Sequence, residues 1–455
     1  MTVDQPTGFG PDFLWGVSTS AYQIEGGVTE GGRGPSTWDT FCAEPGRILN
    51  GDTGAVACDH YHRYAEDVAL MKDLGVGAYR FSFAWPRIQP AGKGPANAEG
   101  LAFYDRLIDE LLAQGIKPVP TLYHWDTPQA LEDEGGWLNR DITDRFAEYA
   151  SILAERFGDR VPQWITLNEP VVLTLFAYGV GAHAPGKQLM FESLPVAHHQ
   201  LLAHGKAVQA LRAGGAGNIG IASNHAPTWP ASDSAEDQGA AAVYDTLFNW
   251  LFADPVLLGR YPNDDLAAAM PGPVAEDLAV IGTPIDWYGI NHYSPARIGA
   301  AIGQADTAAS DGIEIPSGLP FEPRELEGYP KTDFGWPVVP EAFGEILRTF
   351  QQRYGDRLPP IYITENGCAI NDGPGSNGVV DDQRRIEFLD GYLRSLAEVV
   401  AEGIDVRGYF QWSLLDNFEW AAGYSQRFGL VHVDFETLVR TPKASYRWYR
   451  DLIAR

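Results

Sequence analysis

Two apolar, β-branched runs of this 455-residue chain end in a glutamate followed by a turn former: Thr166-Leu167-Asn168-Glu169-Pro170 and Ile363-Thr364-Glu365-Asn366-Gly367. A carboxylate is costly to desolvate unless it is paired. For either glutamate alone, a salt bridge at a strand end is an adequate reason. Two together suggest paired-carboxylate chemistry, in which one carboxylic acid protonates a leaving oxygen while the other group attacks the carbon. The proline and glycine that follow fix the backbone at both sites, which weakens the salt-bridge reading. Other apolar runs also end in groups suited to binding: Gln23 and Glu25, Arg80 through Trp85, His124 and Trp125, Asn224, Asn291 and Tyr293, and Trp412, with Glu419 and Trp420 in the loop beyond.

The elements that must hold these side chains are short apolar or aromatic runs separated by amphipathic helical stretches, the pattern of βα units around a parallel sheet. Eight runs recur: FLWGVST (13–19), AYRFSFAW (78–85), KPVPTLYHW (117–125), QWITLNE (163–169), NIGIASN (218–224), DWYGINHY (286–293), PIYITEN (360–366) and VRGYFQWSL (406–414). AEDVALMKDLG after position 64 and FYDRLIDELLAQG after position 102 carry apolar residues at helical spacing and stop at glycine. Eight repeats predict an α/β fold, a closed (β/α)8 TIM barrel over 1–455 as a single domain, with long βα loops absorbing the extra length. The Gly-, Pro-, Ser- and Ala-rich stretch 294–337 reads as one such loop, and no linker or repeat divides the chain. Active sites of this architecture lie at the C-terminal strand ends, where the polar groups above are found. Glu169 and Glu365, ending runs four and seven, are expected near each other across the barrel mouth.

With 33 Lys+Arg against 60 Asp+Glu, the formal net charge of -27 argues against nucleic acid or an anionic membrane surface as partner and places no penalty on neutral small molecules. The acidic residues are dispersed, as expected of a solvated surface. Cys42, Cys58 and Cys368 form neither a CxxC pair nor a zinc spacing. AHHQLLAH (197–204) lacks HExxH and lies in a long helical pattern, so packing or capping is expected there and no metal. GGVTEGGRG (26–34) fits neither a dinucleotide nor a Walker loop; it reads as a flexible loop at the barrel mouth, and no cofactor is expected. MTVDQPTGFGPDFLWG (1–16) lacks the basic start and apolar run of a signal peptide, and no stretch reaches the ~18 to 20 apolar residues of a membrane span. A cytoplasmic location is expected. Oligomeric state has no signature here.

Four segments in order resemble glycoside hydrolase family 1, the retaining β-glucosidases and relatives, over essentially the whole chain. FLWGVSTSAYQIEGG (13–27) is similar to the family's N-terminal signature, TLNEP (166–170) to its acid/base motif and ITENG (363–367) to its nucleophile motif, with WSLLDNFEWAAGYSQRFGLVHVDF (412–435) completing the set. The resemblance implies a β-glucosidase that releases terminal unphosphorylated β-D-glucosyl residues from O-glycosides and short oligosaccharides through a covalent glycosyl-enzyme, galactosyl and fucosyl groups remaining open. Its substrates would be small β-glycosides and cello-oligosaccharides.

By the same resemblance Glu365 is the nucleophile and Glu169 the general acid, then base. Arg80, Asn291 and Tyr293 support them. Gln23, His124, Asn168, Glu419 and Trp420 bind sugar hydroxyls, and Trp412 is the stacking platform. Trp336 and Asn224 meet the aglycone, Trp125 packs beside the glycone, and Phe176 and His183 either line the entrance or serve packing. Glu419 is expected to be anionic and to repel a 6-phosphate. A catalytically silent sugar-binding barrel is disfavoured because both carboxylates are present; a transglycosylase is left open by the sequence.

Overall fold

The structure, a computed structural model, describes residue 6, residues 8–303 and residues 317–455. The loop expected over 294–337 is therefore described in part, its residues 304–316 lying outside the described residues, as do 1–5 and 7 of the N-terminal segment.

Each of the eight runs forms a strand: β1 (Leu14–Ser18), β2 (Ala78–Ser82), β3 (Lys117–Tyr123), β4 (Trp164–Asn168), β5 (Ile219–Asn224), β6 (Trp287–Asn291), β7 (Ile361–Asn366) and β8 (Val406–Trp412). They pair in parallel in chain order and close into a barrel where β1 meets β8, from Leu14 opposite Gly408 to Ser18 opposite Trp412. Ala78, Val119, Ile165, Ala222, Trp287 and Phe410 form one apolar cluster against Leu14 and Tyr362, one residue from every strand. This layer fills the barrel and makes it a packed core. Room for its rings comes from glycine: a Cβ on Gly16 would lie 2.4 Å from the Phe410 ring, and one on Gly220 2.5 Å from Trp287.

Side chains alternate along a strand, so residues two positions beyond the apolar layer face the same interior one level higher. Those positions hold Arg80, Thr121, Asn224, Thr364 and Trp412, with Gly16, Leu167 and Gly289 on the other three strands. The apolar floor thus gives way to a level that carries four polar side chains at the C-terminal end.

Helices pack outside. α1 (His60–Leu74) ends at left-handed Gly75 (φ 82°), and α2 (Ala98–Ala113) starts at Asn97, whose side chain accepts from Glu99 N at 3.3 Å. Val68, Met71 and Leu74 of the first and Phe103, Leu107 and Leu111 of the second are buried against the sheet. The histidine-rich segment lies in α3 (Leu194–Ala213). There His198 bonds Tyr261 (2.7 Å) and Asp277 (3.0 Å), His199 the carbonyl of Trp137 (2.8 Å), and His204 the hydroxyl of Thr166 (2.7 Å). These are separate packing contacts. The glycine-rich loop, read as flexible, is tied down by Arg33, which bonds Asp39 at 2.8 Å and the carbonyl of Gly34 at 3.0 Å. Beyond β5 and β6, a small sheet of Thr228–Pro230, Ala296–Ala300 and Phe321–Pro323 widens the rim. Among the described residues no helix is long and apolar enough to cross a membrane.

Candidate active site

Consecutive strand residues normally face opposite sides, yet Asn168 with Glu169, and Thr364 with Glu365, join one network. Both pairs depend on irregular backbone. The β4–β5 register shifts between Ile165 and Asn168, and the β6–β7 register between Ile363 and Glu365. Such bulges re-aim side chains beside active sites. Glu169 also has φ 46°, left-handed for a residue with a Cβ, as do Trp125 (φ 74°) and Trp420 (φ 48°). Strain of this kind persists where surrounding structure imposes it.

Arg80, fully buried, donates to Glu365 Oε1 at 2.5 Å through one terminal nitrogen and to Asn168 Oδ1 at 2.6 Å through the other. Tyr293 O–H donates to Glu365 Oε2 at 2.6 Å. Asn291 Nδ2 donates to Glu169 Oε1 (2.6 Å) and to Asn168 Oδ1 (3.1 Å), while its own Oδ1 accepts from Thr364 Oγ1 at 2.5 Å. A continuous chain of polar groups therefore links the two carboxylates.

Their surroundings differ. Glu365 receives a guanidinium and a phenol hydroxyl. The carboxyl of Glu169 is held well above the usual carboxylate range, first by burial and then by the negative charge of Glu365, with Asn291, Arg80 and Asn224 opposing. Burial and the charge of Glu365 likewise raise the Tyr293 phenol, which keeps it a hydrogen-bond donor. Burial, with Arg80 nearby, lowers His124 and leaves the imidazole neutral.

The remaining sequence candidates surround this pair. Asn168 Nδ2 donates to His124 Nε2 (3.1 Å), leaving His124 Nδ1, buried and without a bonding partner among the described residues, to carry the ring proton. The rings of His124 and Trp412 stack at 5.9 Å and 16°. Gln23 is oriented by Ser20 (2.6 Å) and donates to Asn417 Oδ1 (3.1 Å), the carbonyl of Phe418 (3.0 Å) and Glu419 Oε2 (3.4 Å). Trp420 lies 4.7 Å from Trp125, whose indole N–H donates to the carbonyl of Asn168 at 2.9 Å. Trp336 packs on Tyr293 at 5.2 Å, and His183 on Trp125 at 5.8 Å and Phe176 at 6.4 Å. Asn224, expected at the aglycone end, lines the cavity with Glu169 and opposes the rise of its carboxyl. All of these but Gln23 and Asn168 line one cavity of about 1110 Å³ that also contains both glutamates.

Two expectations change. Glu25 turns away from the cavity, bonding Arg87 (3.0 Å) and Tyr104 (2.5 Å) in the core. Glu419 is not simply anionic: desolvation in the cavity wall, then the charge of Glu365, push its carboxyl up to about 8, which favours the protonated form near neutral pH.

Sequence reasoning missed what fixes the loops. Buried Arg385 donates to the carbonyls of Cys368, Ile370 (3.0 Å), Arg427 (2.8 Å) and Phe428 (3.1 Å), and to Asp382 (2.8 Å). One guanidinium thus ties the segment after Glu365 to the loop beyond Trp420. Gly367 completes that approach, since a Cβ there would lie 1.8 Å from the carbonyl oxygen of Trp412. Neither residue carries a local signal beyond glycine's place in ITENG.

A parallel eight-stranded barrel with a buried, unequal pair of glutamates at its C-terminal mouth defines a glycosidase-type site. The chain belongs to glycosyl hydrolase family 1, whose model matches residues 5–455. It is 46% identical over 451 residues to beta-glucosidase A of Acetivibrio thermocellus, covering 98% of each chain. It is 43% identical over 469 residues to the bifunctional beta-D-glucosidase/beta-D-fucosidase of Bifidobacterium breve, covering 100% of this chain and 99% of that protein. The solved family 1 β-glucosidase from Thermotoga maritima superposes with a TM-score of 0.92 at 42% identity, covering 100% of this chain and 99% of that one.

Proposed function

We propose that Glu365 is the nucleophile and Glu169 the acid/base of a retaining β-glucosidase. The protein is a glycoside hydrolase acting on β-glucosides. What carries the assignment of roles is the contrast between a carboxylate receiving Arg80 and Tyr293 and a second carboxyl kept protonated by burial and by the first one's charge.

In the first step a Glu365 oxygen forms a bond to the anomeric carbon as the bond to the leaving oxygen breaks, and the proton of Glu169 goes to that oxygen. Forming the ester removes the charge of Glu365, one of the two causes that raise Glu169. Glu169 becomes the stronger acid and now serves as base. It takes a proton from water, whose oxygen attacks the same carbon and releases Glu365.

Stacking on Trp412 and hydrogen bonds from Gln23, His124, Asn168, Glu419 and Trp420 hold the glycone, with Asn168 at the 2-hydroxyl, where a contact strengthens in the transition state. Asn291 keeps Glu169 in place. Trp336 flanks the aglycone, and Asn224 stands beside Glu169 at that end. The substrates extend to short cello-oligosaccharides, which makes the protein a late enzyme of cellulose breakdown. Its three free, buried cysteines support a reducing cytoplasmic setting.

A panel of aryl β-glucoside, β-galactoside and β-fucoside with cellobiose and longer cello-oligosaccharides tests this reading. The expected result is kcat/KM highest for a β-glucosyl or β-fucosyl group with product released in the β configuration. Initial release of α product would overturn it.

A further inference from the structure

The cavity, at about 1110 Å³, exceeds the roughly 300–1,000 Å³ usual for small-molecule sites, so it continues beyond the carboxylates. Besides the glutamates already described, its wall carries, among the described residues, Arg47, Arg297, Arg324 and Lys331 against one further acid, Glu325, in a chain whose net charge is -27. Three of these cations are balanced locally: Arg47 by Glu44, Arg324 by Glu322 and Lys331 by Glu325. Arg297 makes no ion pair among the described residues. Its two terminal nitrogens donate to backbone carbonyls, Glu325 O at 2.9 Å and Ala231 O at 2.7 Å.

Those carbonyls lie just past the two strands that flank Ala296–Ala300, so the rim sheet itself fixes the guanidinium. A guanidinium held by carbonyls is pre-organised, and no acidic side chain among the described residues balances its positive charge. Tyr293, bonded to Glu365, precedes Arg297 by a stretch spanning at most about 14 Å even when fully extended. An aromatic surface adjoins the same sheet: Tyr244 packs on Phe321 at 5.3 Å and on Phe248 at 5.3 Å, and Tyr244 and Phe248 both line the cavity.

Building on the glucosidase reading above, we propose that Arg297 receives an anionic group on the aglycone, and that aryl β-glucosides whose aglycone ends in a carboxylate are this enzyme's preferred substrate class. The ring lies against Tyr244 and Phe248, and the carboxylate meets the guanidinium at the rim. A neutral aglycone of the same shape leaves the charge of Arg297 to water.

The test compares the β-glucoside of 3-(4-hydroxyphenyl)propionic acid with that of its primary amide. Two methylenes insulate the phenol from the terminal group, so the leaving groups are closely matched in acidity. The expected kcat/KM ratio, acid over amide, is about tenfold at low ionic strength, narrowing as salt is added. In Arg297→Gln the ratio falls to one or below, because the remaining field of the protein is negative; Arg297→Lys retains a ratio above one. Reading each variant as a ratio cancels any general loss of activity. A ratio at or below one in the unmutated enzyme, or a ratio unmoved by Arg297→Gln, overturns the proposal while leaving the glucosidase reading intact. Failure to cleave either compound, together with cellobiose, overturns both.

Discussion

Glu169 and Glu365 are the same residue type in opposite surroundings, and each makes a separate prediction. Glu365→Ala reduces hydrolysis to background because no glycosyl ester can form. Added azide restores turnover from the vacated side and yields a product of inverted configuration; rescue with retention would remove Glu365 from the nucleophile's place. Glu169→Gln slows the glycosylation step by roughly 10² to 10⁴ for cellobiose and far less for a dinitrophenyl glucoside, whose leaving group departs without a proton. Equal losses for the two in single-turnover measurements contradict the acid role. Only protonated Glu169 donates, so kcat/KM declines as pH rises through its raised pKa. That alkaline limb disappears for the activated substrate in Glu169→Gln.

Glu419 adds a stability effect. Its folded pKa of about 8 lies above its ordinary value of 4.5, so the folded state binds the proton more tightly than the unfolded chain does. The stability this contributes is complete below about pH 4.5 and is lost as pH rises to about 8. Glu419→Gln therefore raises Tm more at pH 9 than at pH 5, while weakening sugar binding. An equal change in Tm at the two pH values contradicts this.

Among the elements, the eight strands were legible because each is an apolar run with β-branched or aromatic residues, ended by polar groups at the level where the barrel opens. The catalytic candidates were legible for the same reason. What the sequence hid is tertiary. Asn168 and Glu169 reach one site only through a register shift, and the partners that turn Glu25 into the core, Arg87 and Tyr104, are distant in sequence. The proton on Glu419 follows from burial and from Glu365, far away along the chain. Arg385 looks like any helix arginine until its carbonyl partners are seen. Arg385→Ala, which leaves Asp382 and four carbonyls short of a donor, is expected to cost roughly 3–5 kcal/mol in denaturant unfolding. Gly367→Ala forces the loop away from the Trp412 carbonyl and is expected to lower kcat about 10²-fold. Wild-type kcat in a folded Gly367→Ala variant would show that this close approach does not position Glu365.

For the molecule as a whole, the charge of -27 and the state of Glu419 act together on substrates whose sugar carries a negative charge. At pH 8.5, with Glu419 ionised in most molecules, an aryl β-glucoside is expected to be cleaved at least about a hundredfold more efficiently than its 6-phosphate, since like charges ~4 Å apart cost on the order of 4 kcal/mol at an effective dielectric near 20. The gap narrows toward pH 6 as Glu419 takes up its proton, and salt reduces the long-range part. Comparable kcat/KM at pH 8.5 contradicts this role for Glu419. The covalent glycosyl-enzyme is what the barrel, the two glutamates and the loops that hold them jointly serve. It is tested most directly by incubating the protein with a dinitrophenyl 2-deoxy-2-fluoro-β-glucoside, in which fluorine slows both steps and the leaving group speeds the first. Intact mass should rise by one fluoroglucosyl unit, and peptide mapping should place that unit on Glu365. An adduct on Glu169, or steady release of dinitrophenolate with no adduct at any time, would contradict it.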